Sequence, residues 1–150
     1  MSKILGNEVP QEVIEFINNE EAFYILATIN SETGFPHTTP INLVKSTTPS
    51  TLNACIATGH QDYENIKKDK RAMISLLGAG DIAISIKGEG FIVKEKMEGN
   101  EFMAGIKINV LEVKNDTTAL VKIEQGIQVT QRSQKTPQLF RVLYDELAAL

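Results

Sequence analysis

The chain has 150 residues, with 15 Lys and Arg against 19 Asp and Glu, a formal net charge of −4 and a pI near 5.2. It therefore lacks the basic excess of a dedicated nucleic-acid binder, while its 42% hydrophobic content suffices for one domain with a sizeable core. Cys55 is its single cysteine, the N-terminus has no signal-peptide pattern and no apolar run approaches a membrane span, so the expectation is a cytoplasmic, single-domain protein without disulfide framework, metal site, nucleic-acid partner or membrane partner.

Residues 8–19 predict a first helix, with Val9, Val13, Phe16 and Ile17 on one stripe, Pro10 tolerated in the first turn and Asn18-Asn19 at its end. Phe23 to Ile29 is aromatic and β-branched and predicts a strand; Ser31-Glu32-Thr33-Gly34 supplies turn chemistry; Phe35 to Val44 is the return strand. Pro36 and Pro40 cannot donate to a ladder, so that strand should run along an edge or leave gaps in pairing. An edge strand with unpaired backbone and small hydroxyls is a surface that a ligand can use.

Residues 46–50 read as a polar turn and Leu52 to Ala57 as the third strand. Thr58-Gly59-His60-Gln61-Asp62 breaks the pattern, and Asp62 suits the cap of a short helix over 63–68. Arg71 to Leu77 predicts a strand, 78–81 a turn, and Ile82, Ile84 and Ile86 alternate in a strand that runs to Lys96. Gly88 and Gly90 within it suggest a bulge or a barrel corner. Ala104, Ile106, Ile108 and Val110 predict the next strand, Asn115-Asp116 a hairpin turn, and Ala119, Val121, Ile123 and Ile127 a final strand reaching about Val129. A polar linker then leads to a closing helix over about 137–149, with Leu139, Val142, Leu143, Leu147 and Leu150 on one stripe. Antiparallel strands joined by short turns predict a small barrel with flanking helices.

The order and spacing of several short segments carry a resemblance. They are Ala27-Thr28, Gly34-Phe35-Pro36-His37 and Pro40 in the hairpin; Ala57-Thr58-Gly59-His60 opening a helix with Asn65-Ile66; Lys70-Arg71-Ala72; and Ile86-Lys87-Gly88-Glu89-Gly90. On these the chain resembles the pyridoxamine 5′-phosphate oxidase-like family, the FMN-binding split barrels, over roughly Phe23 to Val129.

The resemblance implies a mainly β protein: a six-stranded antiparallel Greek-key split β-barrel over about 22–130, forming a homodimer with FMN at the subunit interface. It implies that Thr38, Thr39, Pro40, Ile41 and Asn42 address the isoalloxazine ring. Ala57, Thr58, His60, Gln61 and Asn65 would then serve the ribityl chain and phosphate. A helix N-terminus favours an anion on physical grounds as well. If the protein is an enzyme, the resemblance implies an oxidoreductase of unassigned substrate.

Two departures matter. The phosphate loop holds Asp62 and neither Lys nor Arg, which is repulsive to a dianion unless Asp62 turns away to cap the helix. Arg132 and Arg141 lack the motif that surrounds the substrate arginines of true pyridoxamine phosphate oxidases, so that activity is not expected. The alternative is a non-catalytic dimeric module whose flavin site has degenerated; binding of haem or a deazaflavin ranks below both. Residue by residue, bland readings stand beside these: Thr38 and Thr39 as exposed β-formers, His37 as a turn-end surface histidine, His60 as an ordinary loop residue, Cys55 as core. Lys67, Lys68, Lys70 and Arg71 read either as a cluster that steers an anion or as a solvated helix face.

Overall fold

A computed structural model describes residues 2–19 and 22–150. In chain order the elements are β1 (Lys3–Gly6), α1 (Gln11–Ile17), β2 (Tyr24–Ile29), β3 (Pro36–Ile41), β4 (Val44–Thr48), β5 (Thr51–Ala57), α2 (Gln61–Lys68), β6 (Arg71–Gly78), β7 (Ile82–Lys94), β8 (Met103–Asn115) and α3 (Thr136–Leu147).

The strands form one antiparallel sheet in the order β3-β2-β6-β7-β8-β5-β4, with β1 also paired to β8. β6, β7 and β8 follow one another as hairpins and β5 lies beside β8, which is a Greek key. The two ends of the path, β3 and β4, are consecutive in the chain and separated only by Asn42 and Leu43. The sheet therefore curls until its edges meet at that link without pairing. This is the split barrel, with eight strands among the described residues where six were expected.

Period-2 alternation explains which faces look inward. Tyr24, Leu26 and Thr28 of β2, Ala72, Ile74 and Leu76 of β6, and Ala104, Ile106, Ile108 and Val110 of β8 are buried together inside. Two irregularities bend the long β7–β8 ribbon. Lys87 faces Glu112 and Gly88 faces Val110, so Leu111 is an extra residue on β8; further along, Val93 is extra on β7. The first one needs Gly88: a Cβ there would lie 2.5 Å from the Asn109 carbonyl oxygen and 2.6 Å from Ile108 Cγ2. The bulge anticipated from Gly88 and Gly90 is thus present.

Several boundaries differ from the sequence reading. α1 is shorter than 8–19, because Pro10 takes the N-cap position and Asn18 the C-cap. Val44–Thr48 is a strand of its own, where Val44 was expected to end the return strand and 46–50 to be a polar turn, since it pairs with β5 and Asn18 brackets Ser46, accepting from its N–H and donating to its carbonyl. The final strand over 119–129 does not form. A hairpin at Asn115-Asp116 would need a free flank on β8, but Asn115 is already paired with Lys3 on one side and Ile84 on the other. Residues 116–130 run instead as irregular chain past the β6–β7 turn, where the Asp81 N–H donates to the Ile123 carbonyl at 3.1 Å. Leu120 and Val121 are left exposed.

α3 lies on the outer face of β4 and β5. Its Leu143, Tyr144 and Leu147 cover Leu43, Cys55 and Met97. Glu146 fixes its end: its carboxylate accepts from the N–H groups of Glu98 and Gly99, at 2.8 and 3.1 Å, and pairs with Lys94 at 2.7 Å. Among the described residues, no helix is long and apolar enough to cross a membrane.

Candidate functional site

The free edge of β3 is set by its two prolines and by the turn before it. Gly34 takes a left-handed φ of 75°, and the Asn30 side chain accepts from the N–H groups of Glu32 and Thr33, closing the hairpin turn. The Asn30 N–H donates to the Phe35 carbonyl at 3.0 Å, which makes residues 30 and 35 a hydrogen-bonded pair. Such pairs alternate along an antiparallel ladder. In the observed register, Thr28–His37, Leu26–Thr39 and Tyr24–Ile41 then exchange hydrogen bonds, while Pro36, Thr38 and Pro40 turn their backbone groups outward. No strand pairs with that outer edge among the described residues. Of the three outward residues, only Thr38 has an N–H. The edge thus presents one donor and a row of carbonyl acceptors.

The side chains sort the same way. Thr38 and Pro40 are exposed, whereas His37 and Thr39 face inward beside buried Ile41. Thr38 and Thr39, expected to act together on a ring, therefore lie on opposite faces of the strand.

Beneath His37, α2 meets the hairpin through a buried polar network. Thr28 Oγ1 donates to Asp62 Oδ1 at 2.9 Å and accepts from Asn65 Nδ2 at 3.0 Å; Gln61 Nε2 donates to Asn65 Oδ1 at 2.9 Å. His37 Nε2 lies 3.1 Å from Thr39 Oγ1 and 3.9 Å from Asp62 Oδ1. Asp62 and Asn65 are three residues apart and so share a helix face; both are at most 2% exposed. Asp62 does not cap the helix as expected. His60 holds the N-cap position, no side chain caps it, and Asp62 sits in the first turn with its carboxylate turned under the hairpin. Asn65 is likewise turned inward and engaged. The other Asp62 oxygen, Oδ2, is buried with no hydrogen-bond partner.

The rest of the expected phosphate loop is open. Ala57 ends β5, and His60 and Gln61 are exposed at the start of α2. Thr58 is committed to the neighbouring loop: its N–H and its hydroxyl both donate to the Phe102 carbonyl, at 2.9 and 3.1 Å. The nearby cations are also engaged. Lys67 pairs with Glu64, Lys68 with Glu32 and Arg71 with Asp69, and Lys70 lies over the Phe91 ring. The Arg71 guanidinium holds the Asp69 carboxyl down at about 2.

At the far end of β3, five residues and so ~17 Å from His37 along the strand, lies a cavity of about 750 Å³. Phe23, Asn42, Phe140 and residues 127–131 line it. Asn42 is the one expected site residue among them. Sequence reasoning missed the rest, because 127–131 read as strand and linker and Phe140 lies off the α3 stripe.

Cys55 is no nucleophile in this arrangement. It is buried beneath α3, and burial together with Glu146 pushes its thiol up to about 12.

The model of the pyridoxamine 5′-phosphate oxidase family matches residues 9–129. Among curated proteins, none matches the chain. Similar solved structures include a provisionally assigned pyridoxamine 5′-phosphate oxidase of Lactobacillus delbrueckii, at 20% identity and a TM-score of 0.64, covering 75% of this chain and 98% of that one. An F420 reductase matches at 14% identity and a TM-score of 0.57, covering 70% of this chain and 98% of the other. An FAD-binding protein of Mesorhizobium loti matches at 10% identity and a TM-score of 0.54, covering 78% and 99%. These likenesses carry the split-barrel fold, and the family match spans most of the sequence: the chain belongs to the pyridoxamine 5′-phosphate oxidase-like family.

Proposed function

We propose that this protein is an FMN-binding flavoprotein acting as a cytoplasmic homodimer. The observation that carries the reading is the outer edge of β3, where the Thr38 N–H stands among carbonyls between two prolines. The pyrimidine edge of a flavin alternates carbonyl oxygens with a ring N–H. An outward-facing strand residue offers the complementary N–H and C=O side by side, so the donor set present fits the group. Thr38 and Pro40 would hold the ring edge, and the uncapped start of α2 at His60 and Gln61 would receive the phosphate. Asp62 does not oppose this, because its carboxylate is buried under the hairpin rather than displayed at the loop. Bound flavin would supply hydride or electron transfer, and the chain would supply binding and orientation. The similar structures of an F420 reductase and an FAD-binding protein support the cofactor class and an oxidoreductase role.

The test is a titration with FMN, read by flavin fluorescence and thermal melting, on the native chain and on Thr38→Pro. The Thr38 N–H lies outside the ladder, so proline removes the outward donor and leaves the strand pairing intact. Micromolar binding that weakens about tenfold or more in the variant supports the reading, since ~1.4 kcal/mol corresponds to tenfold. Absence of binding by the native chain sinks it. That result would favour the second reading, a non-catalytic dimeric module, for which the engaged hydroxyl of Thr58 and the lack of Lys or Arg in 57–62 are the supporting observations.

A further inference from the structure

Residues 57–62 offer a phosphate neither lysine nor arginine, and Lys67, Lys68 and Arg71 are each paired with a carboxylate. His37 stands where a charge is wanted. It lies on the inner face of β3, against which α2 packs, and its ring meets Asp62 of the first helical turn. Nε2 lies 3.9 Å from Asp62 Oδ1 and 3.1 Å from Thr39 Oγ1, and Nδ1 has no partner among the described residues. The His37 side chain is 37% exposed, so solutes reach it, whereas Asp62 is sealed beneath it at 1%. Asp62 Oδ2 is buried without a hydrogen-bond partner, and a buried carboxylate left short of partners favours a cation beside it. Among the described residues, His37 is the one group paired with Asp62 that can carry a positive charge. The other surroundings of the ring are neutral or engaged elsewhere. β2 sets Thr28 opposite His37 and Leu26 opposite Thr39. On α2, His60 is exposed at the N-cap, and Glu64 with Lys67 and Lys68 with Glu32 form exposed pairs.

We infer that His37, positioned by Asp62, is the specificity-determining residue that tells FMN from unphosphorylated flavin, and that it does so as an imidazolium, so the discrimination depends on pH. This deepens the flavin reading and rests on it. An imidazolium donates from both nitrogens. Nε2 then serves Asp62 and Thr39, which leaves the Nδ1 N–H for the phosphate. A neutral ring has one N–H to give and no charge, and a charge-assisted hydrogen bond is roughly twice as strong as a neutral one. The preference for phosphate is therefore complete on the acid side of the imidazole range, about pH 5–8, and is lost as pH rises through it. A site built on lysine or arginine would show no such loss.

The probes are FMN and riboflavin, alike but for the phosphate. Each is titrated into the full chain at about pH 6 and about pH 8, and binding is read by flavin fluorescence. The preference for FMN over riboflavin is expected to fall about tenfold between the two in the native chain. In His37→Gln it should be low at both and change only with the phosphate's own titration, which is common to every variant and cancels in the comparison. His37→Lys carries a fixed cation and should restore the preference at both. His60→Gln should keep the native fall with pH. Equal affinity of the native chain for the two flavins, an undiminished fall in His37→Gln, or a fall abolished in His60→Gln would each overturn the inference and leave the flavin reading standing. So would a lysine variant that binds riboflavin without preferring FMN, or equal weakening of both flavins in His37→Gln, which marks a structural role. Binding of neither flavin by the native chain would sink the flavin reading itself, and the inference with it.

Discussion

α2 and α3 are both helices laid on the barrel, yet they are held by different balances of apolar contact and hydrogen bonding. α2 has a polar sequence; it sends Ile66 into the core and is positioned by hydrogen bonds buried at its inner face, where Thr28, Asp62 and Asn65 meet. α3 is amphipathic and is fixed by Leu143, Tyr144 and Leu147 over Cys55 and Met97, with Glu146 as a charged latch at its rim. Apolar contact is large in energy and undemanding in direction. A buried hydrogen-bond network adds less net energy but tolerates few alternative positions. The helix expected to meet a phosphate is thus the one held most exactingly.

The strongest way to break this contrast is Leu147→Ala, at a site 0% exposed. Such a truncation typically costs ~2–5 kcal/mol, and urea unfolding should show it. The single cysteine gives a second readout: Cys55, inert beneath α3, should react with a thiol reagent far faster once the helix is loosened.

Next comes α2. Asp62→Ala leaves the Thr28 hydroxyl without its acceptor and should cost ~1–3 kcal/mol. Asp62→Asn keeps an acceptor oxygen for Thr28 and removes a buried charge, so it should be near neutral or stabilising in the same unfolding assay. A loss in Asn as large as in Ala would mean that the charge itself holds α2.

The latch should respond to acid. Desolvation raises the Glu146 carboxyl, but the hydrogen bond from Lys94 and those from the Glu98 and Gly99 N–H groups outweigh it, so its pKa is lowered in the folded state. Its contribution is therefore complete above the unfolded value of ~4.3 and is lost as pH falls through the folded value. Melting temperature against pH should drop more steeply below about pH 4.3 in the native chain than in Glu146→Gln. Parallel curves would show that the latch adds nothing to apolar docking.

The smallest effect belongs to the surface pair of α2. Lys68 and Glu32 are 3.1 Å apart but exposed. Glu32→Gln should change stability by less than ~0.5 kcal/mol, and a larger loss would mean that α2 depends on its outer face after all.

The elements with clean alternation and strong turn signals, β2 with β3 and β6 with β7, were legible from the residues. β8 was legible only to Val110, because the extra residue Leu111 shifts the inward phase from Val110 to Val113 and hides the strand's continuation. β4 was hidden for another reason: Lys-Ser-Thr-Thr carries no apolar signal, and its neighbours rather than its own composition make it a strand. The false strand at 119–129 had the right alternation but no vacant flank on β8, which is a property of the assembled sheet. At the candidate site, the even spacing of Pro36, Thr38 and Pro40 was visible and carries the edge. The inward turn of Asp62 was not, because a capping residue and a first-turn residue look alike in sequence. The cavity could not be read either, since Phe23 and Phe140 become neighbours only after folding.

The central place of β8 also bears on when the barrel can form as the chain is made. Removing β8 from the sheet leaves two separate pieces, β3-β2-β6-β7 and β5-β4, together with an unattached β1. A ribosome delivers all three before it delivers Met103–Asn115. Until then each piece carries an open edge able to pair with the wrong neighbour, and Lys3 must wait for Asn115. Closure late in synthesis, with partners distant in sequence, makes for slow folding. The nascent chain is consequently most exposed to misassociation just before its keystone strand emerges.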